Sequence, residues 1–290
     1  MVRVYSGAST RMSVGRFLQQ AAAGNAGGLP DPFDLSTAGY DSVTFYTGSQ
    51  AGNPRGLRLS EDGTKMYVAD FSNEQIYQYS LSTADDVSTA SYDSVFLTFS
   101  SQTAGPTGLH FNSDGTKMYL SGATSDAVYQ YSLSTAWDLS TASYDSKSFS
   151  FATQDSNPWS VFINPEGTKM YVVGRANEKI FQYSLSTADD VSTASYDSVS
   201  FTPQKSASNV PVAVLFSSDG TKMYVINSDT SSTVYQYSLS TEFDLSTASY
   251  DSISLDVESQ SQLMQAMAFT TDQTKMLLID STNDNVFQYS

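Results

Sequence analysis

Five copies of one phrase limit what this chain can fold into. Asp219-Gly220-Thr221-Lys222-Met223-Tyr224-Val225 is followed a few residues on by Val234-Tyr235-Gln236-Tyr237-Ser238-Leu239-Ser240, and the pair recurs along the sequence. Its lysine falls at Lys65, Lys117, Lys169, Lys222 and Lys275, in steps of 52, 52, 53 and 53 residues. A fixed period of this size marks a repeat architecture, in which each unit buries its apolar faces against its neighbours.

Each unit reads as four strands. The first is short and apolar, as in Gly56-Leu57-Arg58-Leu59, Gly108-Leu109-His110-Phe111 and Ser160-Val161-Phe162-Ile163. A turn follows, with Asp-Gly in three units, Glu166-Gly167 in one and Asp272-Gln273 in another. Asp-Gly between apolar runs signals a hairpin, because glycine accepts the positive φ the turn requires. The second strand, Lys65 to Asp70 and its copies, is almost continuously apolar, as expected where both sheet faces are covered. The third is Ile76-Tyr77-Gln78-Tyr79-Ser80-Leu81 and its copies, whose aromatic content suits a pleated surface. The fourth follows the phrase Asp86-Val87-Ser88-Thr89-Ala90-Ser91-Tyr92-Asp93-Ser94-Val95.

Four antiparallel strands per repeat predict propeller blades. The sequence stops on a third strand, Val286 to Ser290, and its first strand-like run, Tyr40 to Phe45, is a fourth. Pairing the two completes a blade and removes the open edges of the sheet. The expectation is an all-β protein: a five-bladed β-propeller of four-stranded antiparallel blades over residues 31–290, closed by the N-terminal outer strand on the C-terminal three strands.

Residues 1–30 are different. They hold Arg3, Arg11 and Arg16 and no acid, which leaves eleven bases against thirty acids in the remainder. Ser13 as N-cap and Gly24 as stop allow a short helix over 13–23, with Phe17 and Leu18 as its apolar contact. A helix this short needs a partner surface, so the segment reads as a basic docking arm. The net charge of −16 argues against nucleic acid. No apolar run approaches transmembrane length, so no membrane insertion is expected. The N-terminus lacks the apolar region of a secretory signal.

In a propeller, loops between strands one and two and between three and four share one face. Here that face carries the near-identical phrases. The opposite face carries loops that differ from blade to blade, and variable loops on a rigid scaffold are where recognition sits. The candidate recognition residues are Arg55, Phe71, Asn73, Glu74, Asp126, Asn157, Trp159, Arg175, Asn177, Asp229 and Asn283. Trp159 is either an amphipathic anchor among polar loop neighbours or a ring packed between blades.

Catalytic and metal signals are sparse. His110 is the one histidine and there is no cysteine. A triad would need Ser and Asp converging on that imidazole, and the sequence singles out none. Thiolate and multi-histidine zinc sites are excluded by count. Paired acids such as Asp86 and Asp93 read as turn formers bonded to backbone rather than calcium ligands. No phosphate-binding glycine loop is present, and no catalytic residue, metal or cofactor is expected.

The Asp-Gly-Thr-Lys-Met-Tyr-Val phrase after Gly-Leu-x-Phe resembles the blade signature of YVTN-type, NHL-type and lactonase-like propellers. That resemblance implies the fold, and the lactonase activity is not carried over. The outer phrase, Tyr-Gln-Tyr-Ser-Leu-Ser-Thr-Ala-x-Asp-Leu-Ser-Thr-Ala-Ser-Tyr-Asp-Ser, resembles repeat proteins of marine bacteria and their phages. The expectation that follows is a non-enzymatic structural or adhesion protein of a bacteriophage virion. Its arm would dock it to other virion proteins in a larger oligomeric assembly, and its variable face would meet a host-surface glycan or protein. The alternatives are a lectin-like propeller and a lactonase-like hydrolase.

Overall fold

The structure, a computed structural model, describes residues 31–204 and 210–290. The docking arm, with Arg3, Arg11, Arg16, Phe17, Leu18 and the 13–23 helix, lies outside the described residues. So do residues 205–209 of one variable loop.

Five four-stranded antiparallel sheets form the blades. The first comprises β2 (Pro54–Leu59), β3 (Lys65–Asp70), β4 (Gln75–Leu81) and β5 (Ala90–Thr98). The second to fourth follow as β6–β9 over 106–150, β10–β13 over 158–201 and β14–β17 over 210–256. The fifth joins β1 (Tyr40–Tyr46) to β20 (Asn285–Tyr289), then β19 (Met276–Asp280) and β18 (Met264–Phe269). Tyr40 lies opposite Tyr289 and Thr44 opposite Phe287, and Gly39 and Ser290 exchange two backbone hydrogen bonds beyond them. The ring closes as the repeat predicts.

Local chemistry sets each element. Gly63, Gly115, Gly167 and Gly220 have φ between 68° and 70° in the turn after the first strand, where an L-residue is strained. Gln273 stands in that place in the fifth blade at φ 54°. The Asp-x-Ser-Thr phrase forms the expected turn. Asp86 accepts from the Ser88 amide at 3.0 Å and its hydroxyl at 2.6 Å, and Val87–Thr89 make one 3-10 turn. On the outer strands, Ser42, Ser94, Ser146, Ser198 and Ser252 have φ between 57° and 61°. The register shifts beside Ser94, where Gln78 pairs with Val95 but Tyr79 with Tyr92. Such a bulge kinks an edge strand and spoils it as a template for further pairing.

The repeated lysines and glutamines carry more than the sequence reading gave them. Lys65 Nζ meets the Asp93 carboxylate at 3.2 Å, and the same pair recurs as Lys117–Asp145, Lys169–Asp197 and Lys222–Asp251. Gln78 Nε2 donates to Asp93, and its Oε1 accepts from the Leu139 amide of the next blade at 2.9 Å. Gln130 with Val191, Gln182 with Leu245 and Gln236 with Leu35 repeat this latch. A second latch runs from Tyr67, Tyr119, Tyr171 and Tyr224 to the backbone carbonyls of Trp137, Asp189, Phe243 and Phe33. At the closing seam both change. Leu277 occupies the tyrosine position, and Gln288 Oε1 has no hydrogen-bond partner. Thr271 instead donates its amide and hydroxyl to Asp85.

Candidate functional site

The site lies where the five innermost strands converge. Each begins two or three residues earlier than the apolar pattern suggests, at Pro54, Pro106, Pro158, Val210 and Met264. A register shift near the start of each, between Pro158 and Ser160 for example, admits the extra residues. This corrects the reading of Arg55 and Trp159 as loop residues; both lie on strands.

Side chains along these strands form tiers around the axis. The outermost tier, on the variable face, is Arg55, Thr107, Trp159, Val212 and Gln265. The next is Gly56, Gly108, Ser160, Ala213 and Ala266. Small residues are required there. A Cβ on Gly108 would fall 2.7 Å from Ser160 Cα, and one on Gly56 would fall 2.9 Å from Leu109 Cβ. The remaining channel space is about 10 Å³, room for about one water-sized particle.

Trp159 reaches across the axis at the mouth. It belongs to the third blade, yet its Nε1 donates to Gln265 Oε1 of the fifth at 3.2 Å. The Arg55 guanidinium of the first blade lies 4.6 Å from its ring, and Arg175 lies 4.3 Å from it. Arg55 also stacks on Phe71 at 4.6 Å. The indole is 5% exposed, and it holds two cations by their attraction to the aromatic face. Arg175 Nη2 meets the Asp229 carboxylate at 3.3 Å. Arg55 has Asn53 Oδ1 at 3.2 Å and no carboxylate in contact among the described residues. Burial, and then the nearby Arg175, pull its pKa down to about 10, so it stays charged at neutral pH.

Beside these residues is a cavity of about 150 Å³, lined by Arg55, Trp159, Arg175, Asp229, Gln265 and Ser228 among others. Four of the sequence-derived candidates, Arg55, Trp159, Arg175 and Asp229, therefore meet at one pocket. Val212, Ser228, Leu263, Gln265 and Ser281 complete the lining and were not singled out. Aligning the first strands two residues further back would have put Val212 and Gln265 in register with Arg55.

The other candidates hold loops. Asn73 gives its amide to buried Asp70 and its side chain to the Gln50 carbonyl. Asn177 does the same with Asp155 and the Gln154 carbonyl, and the Asn283 amide bonds Asp280. Asn157 gives its amide to Asp155 at 2.8 Å. Glu74 and Asp126 occupy turn positions at φ 55° and 49°.

His110 lies deeper. Its Nδ1 is 2.6 Å from Arg58 Nη2, and the ring is 4.8 Å from Phe162. Burial first, and then the Arg58 charge, push its pKa well below the usual histidine value. It is a neutral acceptor for Arg58, and among the described residues no acid or hydroxyl side chain hydrogen-bonds it. Among the described residues no group of three His, Cys, Asp or Glu side chains could hold a metal ion, and no helix is long and apolar enough to cross a membrane.

Residues 50–259 match the family model described as lactonase, 7-bladed beta-propeller. That span covers the first four blades. No curated protein matches the chain. Among solved structures, a candidate 6-phosphogluconolactonase of Bacteroides uniformis is 15% identical with a TM-score of 0.51, covering 79% of this chain and 64% of that one. A second from Bacteroides fragilis is 14% identical with a TM-score of 0.49, covering 78% and 58%. A Lactobacillus plantarum protein is 14% identical with a TM-score of 0.50, covering 82% and 67%. This chain spans about three fifths of the length of the first two. The likeness to the solved structures is one of fold. The family match upholds the lactonase-like resemblance and overturns the expectation of a non-enzymatic phage structural protein, because the family is one of enzymes and nothing found points to a virion.

Proposed function

This chain belongs to the lactonase, 7-bladed β-propeller family, and from that premise we propose that it hydrolyses a lactone bearing an anionic group at the mouth of its channel. The observation that carries this is the pocket itself, in which Asp229 is the one carboxylate and Arg55 and Arg175 are the two cations. Arg55, which contacts no carboxylate among the described residues, takes the negative charge of the substrate. Arg175 orients Asp229. The Asp229 carboxylate accepts a proton from water as the water oxygen adds to the lactone carbonyl. The tetrahedral intermediate then collapses, the acyl carbon–oxygen bond breaks, and the proton passes to the departing ring oxygen. The product is the open hydroxy acid. A cation beside the developing oxyanion in a partly desolvated pocket stabilises that charge.

6-Phosphogluconolactone is the first substrate to assay, being a sugar lactone with a phosphate. Hydrolysis is measured above the spontaneous rate. Asp229→Asn is expected to lower kcat by about 10²- to 10⁴-fold, the range for loss of a general base, and Arg55→Met to raise KM. Absence of turnover on this and other anionic lactones overturns the proposal. Full turnover by Asp229→Asn overturns the assignment of the base.

A further inference from the structure

We propose that the channel binds one small monovalent anion of about the size of chloride, with Arg58 as its principal ligand. The inference is independent of the lactonase reading and concerns a place deeper than the mouth pocket. Arg58 lies on the first blade, three residues beyond Arg55 toward the face of repeated turns. Its guanidinium is 5.7 Å from the Phe162 ring of the third blade, a neighbour it meets across the axis. Among the described residues its guanidinium donates to neutral acceptors, the Leu109 carbonyl from Nε at 3.3 Å and His110 Nδ1 from Nη2 at 2.6 Å.

Neither acceptor neutralises the charge. His110 is held neutral, with Arg58 on one nitrogen and the backbone of Ile163 as its other hydrogen-bond partner. Among the described residues Arg58 has no ion pair with a carboxylate. The residues lining the 10 Å³ channel space include Arg55 and Arg58 and no acid; the rest are neutral, such as Thr107, Ser160 and Gln265. Two cations thus line a narrow, low-dielectric passage in a chain of net charge −16. An uncompensated buried charge costs several kcal/mol, and walls of one sign focus the field on a counter-ion. Arg58 keeps partial exposure at the level of the whole residue, while burial of its guanidinium lowers the pKa to about 10, so it stays charged at neutral pH. The space holds about one water-sized particle, so a single-atom halide is the largest anion it can take and sulfate is excluded.

The single histidine makes the test direct, because His110 touches Arg58 and its imidazole nitrogens give the one histidine signal in a nitrogen-15 spectrum. Full-length protein is titrated with sodium chloride, sodium bromide and sodium sulfate at matched ionic strength. Saturable shifts of the His110 nitrogens with chloride and bromide, absent with sulfate and absent in Arg58→Met, are expected. Equal shifts with sulfate, or no saturable shift with any halide, overturn the proposal. Should Arg58→Met fail to fold, a wild-type crystal soaked in bromide decides. An anomalous peak within contact of the Arg58 guanidinium supports the site, and its absence refutes it.

Discussion

The blade-to-blade latch predicts that two chemically identical substitutions have unequal costs. Gln182 is 3% exposed. Its Nε2 donates to Asp197 at 2.9 Å, and its Oε1 accepts from the Leu245 amide at 2.8 Å. Gln288, at the equivalent place in the fifth blade, donates to Asp41 at 2.8 Å, but its Oε1 has no partner. Methionine has similar volume and cannot make either bond. Both variants lose a hydrogen bond to a carboxylate. Gln182→Met also strands the amide of buried Leu245, and a buried donor left without an acceptor costs about 1–3 kcal/mol. The Gln182 variant should therefore be less stable than the Gln288 variant by that amount. For a chain of this length the gap corresponds to roughly 2–5 °C in melting temperature. Thermal unfolding of the two variants at neutral pH, with amide exchange at Leu245, measures it. Equal losses of stability, or a larger loss for Gln288→Met, would refute the latch as an energetic element.

Three further predictions concern the channel and the salt bridges of the blades. His110 is held neutral, so below about pH 6.5 the unfolded chain binds a proton that the folded chain refuses. Stability is fully present above that pH and declines as pH falls through it. His110→Gln should remove this limb, and an unchanged limb between pH 7 and 5 would sink the assignment. Asp93, Asp145, Asp197 and Asp251 are raised by burial, but hydrogen bonds from serine, glutamine and lysine outweigh this and lower them. Their contribution is present above the unfolded carboxylate range, near pH 4, and is lost as pH falls further. Denaturant midpoints between pH 5 and 2 should show a second decline even in His110→Gln. Gly108→Ala forces a Cβ against the Ser160 backbone and should cost at least about 1–3 kcal/mol. Gly39→Ala, with nothing within 4 Å, should change the melting temperature little, and equal effects would refute the tight neck.

The sequence by itself determined the ring. The 52-residue period counted the units, the Asp-Gly turns located the hairpins, and the matching terminal fragments closed the fifth blade. These are local properties, set by glycine's access to positive φ and by runs of apolar residues that must be covered. It also marked Arg55, Trp159, Arg175 and Asp229 as residues that break the repeat. Only the tertiary structure decided that these four, drawn from three blades, share one pocket. Their meeting depends on strand starts shifted by bulges and on Trp159 crossing the axis, neither of which leaves a periodic trace. The repeated Lys65 and Gln78 show the converse. They are plain in the sequence, yet their partners Asp93 and Leu139 are fixed by sheet register and by the neighbouring blade. The same holds for Arg58 and His110, whose contact arises because the innermost strands of adjacent blades converge until one side chain must face the next.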